Sequence, residues 1–180
     1  MQSIQTVSEN TIYVGASDRR LAKFENLFPI PRGVSYNAYV ILDEKTALLD
    51  TADASVGAQF LENVAAALDG RKLDYLIVDH MEPDHAAMIE AVLVRWPDLR
   101  LVVNAKTLPM LKMYFPTDSA AIDDALVVKE GDTLDLGKHK LTFVMATMVH
   151  WPEVMMTFDT TTCTQFSADA FVTFAELQAA

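Results

Sequence analysis

The sequence predicts an α/β sandwich, two mixed sheets face to face with helices outside them. Three observations point there: hairpin-forming strands open the chain, strand–helix–strand units fill its middle, and short strands separated by tight turns close it. No repeat, low-complexity tract or linker divides the 180 residues, so one domain over 1–180 is expected.

In chain order, residues 11–14 (TIYV) read as a first strand. Residues 26–34 hold Pro29, Pro31 and Gly33 and are expected to stay irregular. Residues 36–42 and 46–50 are apolar strands joined by Asp43-Glu44-Lys45, a hairpin signal. Over 54–69, Val56, Phe60, Leu61, Val64 and Leu68 recur on one helical face, with Gly70 placed to cap it. A β-branched apolar run then begins at Leu73, and Ile89, Val92, Leu93 and Trp96 follow at helical spacing. Residues 99–104 (LRLVVN) form another strand, and Leu108, Leu111, Met113 and Tyr114 a short helix. Residues 126–129, 133–136 and 140–146 are strands separated by Glu130-Gly131-Asp132 and Gly137-Lys138-His139. Residues 154–158 and 163–167 make a last pair around Asp159-Thr160-Thr161-Thr162.

Composition narrows the function classes. Hydrophobic residues make up 51% and charged residues 22%, a globular rather than disordered balance. The apolar stretches fall far short of the roughly 20 residues a membrane helix needs. The opening MQSIQTVSEN lacks the basic and apolar parts of a signal peptide. Cys163 is alone, which excludes an internal disulfide and fits a reducing cytoplasm. Net charge is −11, and no basic cluster stands out beyond Asp18-Arg19-Arg20, so a nucleic-acid partner would lack its electrostatic footprint. The expectation is a cytoplasmic protein with neither membrane nor nucleic acid as partner.

Chemistry concentrates just after the central strand. LDYLIVDHMEPDHAAM, residues 73–88, places His80, Glu82, Asp84 and His85 between an apolar run and a helical pattern. These groups lie within about 20 Å of extended chain at most. Alternate residues of an extended segment face one way, so His80, Glu82 and Asp84 can converge. Pro83 stiffens the turn and keeps Glu82 out of helix. Two imidazoles and two carboxylates are too many for one ion and natural for two. A solvated polar loop is the plain alternative.

Two further candidates stand at corresponding places. His150, in MATMVHWPEV, and Asp169, in FSADAF, each follow a predicted strand. Alone, His150 reads as a core or cap residue and Asp169 as a turn residue. Together with His80 to His85 they give three strand ends, each bearing a metal-suited side chain. His139 lies in a Gly-Lys-His-Lys turn and is expected to be exposed, without a role. Asp50 and Asp53, in LLDTAD, read as turn acids, with support of the site as the alternative. Met145, Met148, Met155 and Met156 read as core filling and a dry wall beside the site.

HMEPDH (80–85), VHWPE (149–153) and FSADAF (166–171), with PRGVSYNAY (31–39) and LLDTAD, resemble the metallo-β-lactamase-like domain of flavodiiron proteins. The resemblance covers nearly the whole chain. It implies an αββα sandwich, incomplete because the last part of its second half is missing. Hydrolases of the wider superfamily carry a His where Glu82 stands, and a carboxylate there adds a hard anionic donor that favours iron over zinc.

By this resemblance His80, Glu82 and His150 hold one iron, Asp84 and His85 serve a second, and Asp169 bridges the two. The family pattern places a further His on the second iron, well beyond the bridging Asp, and follows the metal domain with a flavodoxin-like domain that binds FMN. Neither is within residues 1–180, and Val172 stands where FSADAF is usually followed by Gly. The second iron is therefore expected to be one ligand short, with FMN on a missing domain or partner subunit. The implied activity is reduction of dioxygen to water or nitric oxide to nitrous oxide. The donor would be flavin or rubredoxin-type, and the intact protein a head-to-tail homodimer. A metal-dependent hydrolase and a non-catalytic remnant of the fold are the alternatives.

Overall fold

Side-chain alternation along four central strands decides the layers. Val40, Leu48, Leu76, Val78, Leu101 and Val103 join one buried cluster. Their immediate neighbours Ile41, Ala47, Leu49, Ile77 and Val102 join another. A sheet whose strands bury both faces reads as continuous apolar runs, as these segments do.

The computed structural model describes residues 4–24, 26–116 and 119–171. The strands are β1 (Gln5–Ser8), β2 (Thr11–Tyr13), β3 (Ala16–Asp18), β4 (Lys23–Phe24), β5 (Phe28–Pro29), β6 (Val34–Tyr36), β7 (Tyr39–Leu42) and β8 (Thr46–Leu49). A 3-10 turn, Ala54–Val56, leads into α1 (Gly57–Leu68), then β9 (Tyr75–Ile77), α2 (Pro83–Ala86), α3 (Ile89–Arg95) and β10 (Arg100–Asn104). After α4 (Thr107–Tyr114) and α5 (Ser119–Asp123) come β11 (Leu126–Val128), β12 (Thr133–Asp135), β13 (Lys140–Met145), β14 (Met155–Asp159) and β15 (Thr164–Phe166).

Seven strands form one sheet in the order β1-β2-β7-β8-β9-β10-β11, and four form a second, β12-β13-β14-β15. Strands β8 to β11 run parallel, and the rest of the large sheet and all of the small one pair antiparallel. Phe60, Val64 and Leu68 of α1, Ile89 and Val92 of α3, Leu111 of α4 and Ile122 of α5 all pack on the outer face of the large sheet. Leu134, Leu141, Phe143, Met155 and Phe166 fill the space between the sheets. Among the described residues this supplies three layers of an αββα sandwich. Val172 lies outside them.

Several local expectations differ from what forms. Residues 26–34 are not wholly irregular: β5 and the start of β6 lie there, because a short antiparallel pairing satisfies the backbone of β4. The left-handed cap of α1 is Asp69 (φ 47°), with Gly70 (φ 81°) continuing the turn. Cys163 lies not in a strand but in the exposed turn before β15, at φ 54°. Of the methionines, Met155 and Met156 are buried whereas Met148 is 67% exposed.

His139 corrects its expectation outright, being fully buried. Its ring Nδ1 lies 2.8 Å from Asp159 Oδ2, and its backbone N–H donates to Asp43 Oδ2 at 2.6 Å. Lys45 N–H donates to the Leu136 carbonyl, so the β7–β8 and β12–β13 turns are clasped together. Burial pushes the Asp159 carboxyl up, but the Thr162 hydroxyl, His139 and the Thr161 N–H more than offset it and hold it below its ordinary value. His139→Ala strands that carboxylate with only the threonines. We expect a loss of about 2 kcal/mol in urea unfolding, as for removing a hydrogen bond to a buried charged group. Metal content of the folded variant should be unchanged, since His139 and residues 146–154 lie at opposite ends of β13.

Candidate metal centre

The ligand stretch is shaped by Pro83. It occupies the first turn of α2 and leaves Glu82 extended at φ −60°, ψ 144°. His80 and Glu82 thus sit two apart on extended chain and face the same way, with His80 Nε2 3.1 Å from Glu82 Oε2. The helix begun by Pro83 then presents Asp84 and His85 beside them. His150 arrives on the loop between β13 and β14, and Asp169 on the turn after β15, closed by Ala170 N–H to the Ser167 carbonyl. All six predicted residues come together.

They form two groups that share Asp169. In the first, His80, Glu82, His150 and Asp169 each offer an atom within 4.8 Å of the others; in the second, Asp84, His85 and Asp169 do so. Asp169 divides its oxygens between them: Oδ1 lies 2.8 Å from His85 Nε2, while Oδ2 lies 3.4 Å from His150 Nε2 and 3.6 Å from His80 Nε2. Glu82 Oε2 stands between the rings of His80 and His150, 2.9 Å from the latter. Neighbouring ligands around an ion at about 2.1 Å are separated by roughly 3 Å, so this donor set fits divalent metals. Asp84 Oδ1 adds to the fit, being buried without a hydrogen-bond partner among the described residues, as an oxygen that binds a cation would be. His80 is fully buried under the edge of Trp151, at 5.3 Å between ring centroids. The His150 side chain is 54% exposed, so the first group opens to solvent on that side.

Two carboxylates aim the imidazoles. Glu153 Oε1 accepts from His80 Nδ1 at 2.8 Å and from Met81 N–H at 3.1 Å, turning His80 Nε2 toward the cluster. Asp50 Oδ2 accepts from His85 Nδ1 at 3.0 Å, with Oδ1 taking the Asp79 N–H at 2.7 Å. Asp50 therefore supports the site rather than acting as a simple turn acid, whereas Asp53 caps the 3-10 turn through Ser55 N–H. Sequence reasoning missed Glu153. The available signal was an acid directly ahead of a buried apolar strand, where a charge needs a partner.

The electrostatics follow from crowding. Burial works against a charged His80, but hydrogen bonds to Glu153 and Glu82 outweigh it and raise the ring to about 9. His85 is likewise buried, and Asp169 and Asp50 raise it well above its ordinary value. Burial would lift Asp169, yet His85 above all, with His80 and His150, brings it down to about 2. Asp84, dominated by burial, rises to about 6.

The family model for ODP family beta lactamase matches residues 34–180. The chain belongs to that family. Among solved structures of similar fold, the flavodiiron protein from Giardia intestinalis superposes with a TM-score of 0.91 at 25% identity, over 99% of this chain and 43% of that one. The rubredoxin oxygen:oxidoreductase of Desulfovibrio gigas gives 0.81 at 31% identity, over 87% of this chain and 38% of that one. A Klebsiella pneumoniae protein named anaerobic nitric oxide reductase flavorubredoxin is 35% identical over 167 residues, 92% of this chain and 34% of its own length. The chain thus spans about a third of that relative and matches the metallo-β-lactamase-like part of the flavodiiron structures. Among its described residues no helix is long and apolar enough to cross a membrane.

Proposed function

We propose that this ODP family domain holds two irons and serves a flavodiiron-type reductase of dioxygen or nitric oxide. In this reading His80, Glu82 and His150 hold one iron, Asp84 and His85 the other, and Asp169 joins them. The observation that carries it is the division of the Asp169 oxygens between two donor groups, Oδ1 toward His85 and Oδ2 toward His80 and His150. The printed names of the Klebsiella and Desulfovibrio proteins support nitric oxide or oxygen as substrate and a rubredoxin-type donor. FMN carried outside residues 1–180, a head-to-tail dimer and a cytoplasmic location complete the proposal.

When bound, such a pair of irons supplies electrons and open coordination positions to a diatomic molecule. The chain's residues supply the setting. Glu153 and Asp50 fix which nitrogens of His80 and His85 face the centre, Trp151 shields His80, and the exposed side of His150 leaves an approach. Glu82 brings negative charge where a hydrolase of this fold brings imidazole, and so selects iron.

The test offers ferrous iron and zinc together under anaerobic conditions and reads metal content. Iron is expected to be retained in preference. The iron-loaded protein should then consume oxygen or nitric oxide slowly with free reduced FMN, which meets the site only by collision. Stoichiometric zinc without iron would sink this reading and promote a metal-dependent hydrolase.

A further inference from the structure

The loop bearing His150 also bears Glu153, and it is held from outside by residues at and just past the end of β10. We infer that Asn104 is the positioning residue of the first metal group, with Lys106 as a weaker second grip; the inference rests on the two-metal reading. Asn104 is 4% exposed, and its amide does two things at once. Oδ1 accepts the N–H groups of Lys106 at 2.8 Å and Thr107 at 3.1 Å, at the start of α4. Nδ2 donates to the Glu153 carbonyl at 2.5 Å. Lys106 Nζ reaches the Pro152 carbonyl at 3.0 Å and Thr147 Oγ1 at 3.4 Å. The loop is therefore held at Thr147, Pro152 and Glu153, on either side of His150.

Burial ranks the two grips. A hydrogen bond shielded from water leaves an orphaned carbonyl when its donor is lost, whereas an exposed lysine contact gives way to solvent at little cost. Asn104 thus dominates. It acts through residue 153 in two directions. The Glu153 carboxylate aims His80, and the loop on the near side of residue 153 carries His150 to Glu82 and Asp169. The second group is held from elsewhere: Thr51 N–H and Oγ1 both donate to the His85 carbonyl, at 2.8 and 2.7 Å, and Asp50 aims its ring. Loosening the Asn104 grip should consequently weaken one metal and spare the other. A fault in general stability would weaken both.

The deciding variant is Asn104→Asp, which keeps an oxygen to cap α4 and loses the donor to Glu153. Ferrous iron is titrated anaerobically into the 180-residue protein and the variant, and cobalt(II) is used in parallel for its visible ligand-field absorption. One binding step should weaken by about tenfold or more, as for loss of an outer partner of a metal ligand. The other should stay within about twofold. The cobalt band of the weakened group should shift. Asn104→Ser, which keeps a capping hydroxyl too short to reach Glu153, is read by the same criteria if Asn104→Asp does not fold. Lys106→Met should show the same selectivity in smaller measure. Unchanged titrations in the residue 104 variant, or equal weakening of both steps, overturns the inference. Failure of the unaltered protein to take up iron instead overturns the two-metal reading itself.

Discussion

Asp169→Ala should empty both halves of the centre together, with each affinity falling by more than about a hundredfold. That exceeds the 10- to 100-fold typical of losing a partner that only supports a ligand, because here the donor itself goes. The reason is geometric. Asp169 Oδ1 faces His85 at 2.8 Å, while Oδ2 faces His150 at 3.4 Å, so one truncation removes a donor from each group. It also removes an anion that lies within 3.6 Å of three imidazoles, leaving Glu82 and Asp84 to offset incoming cations. Asp169→Asn is a sharper version. The side chain keeps its shape, but one oxygen becomes an NH2 that can only donate, so one group should suffer more. Metal analysis after anaerobic loading and desalting decides it, with His139→Ala as the folded comparison. Two metals retained by Asp169→Ala would remove that residue from the centre.

The fold was readable where local signals and burial agree. Residues 73–78 and 99–104 are apolar on both faces because each lies between the helices and the second sheet, and a run without alternation is what double burial produces. The β7–β8 hairpin and α1 were readable from a polar three-residue turn and a helical stripe. Strands β1, β3, β4 and β5 were not. They are two to four residues long and carry little periodicity, and β3 in addition pairs with a strand distant in sequence, Ala16 with Tyr36. Cys163 shows the same limit on a smaller scale, since its β propensity yields to the left-handed turn that joins β14 to β15.

For the site, the residues brought together were legible and those that aim them were not. His80, Glu82, Asp84 and His85 announce themselves by density, and His150 and Asp169 by standing just past predicted strands. Glu153 and Asn104 lie 49 positions apart and meet only because the β13–β14 loop folds back over the end of β10. Asp50 was seen but ranked as a turn acid, since its partner His85 is 35 positions away. His139 was misplaced for a related reason. Its neighbours Lys138 and Lys140 are exposed, and only the buried Asp159 on the adjacent strand draws the ring inward.

Glu82→His should turn the first group toward zinc, changing the iron-to-zinc preference by about a hundredfold or more. Glu82 is 3% exposed, and its Oε2 sits 3.1 Å from His80 Nε2 and 2.9 Å from His150 Nε2. The carboxylate is therefore the anionic donor between two neutral ones. Replacing it with imidazole leaves that group three nitrogens and the shared Asp169, a softer set of lower charge, which suits zinc and supports a ferric ion poorly. The backbone presents no obstacle, because Glu82 is at φ −60°, ψ 144°, an extended conformation open to His before Pro83. Charge and donor type are separated by a second variant. Glu82→Gln loses the charge without gaining a nitrogen ligand, so it should lose iron and acquire no taste for zinc. Anaerobic competition dialysis against both metals, read by elemental analysis, distinguishes the three proteins. If Glu82→His keeps the iron preference of the unaltered protein, selection lies elsewhere in the centre, and Asp84 and Asp169 become the residues that set it.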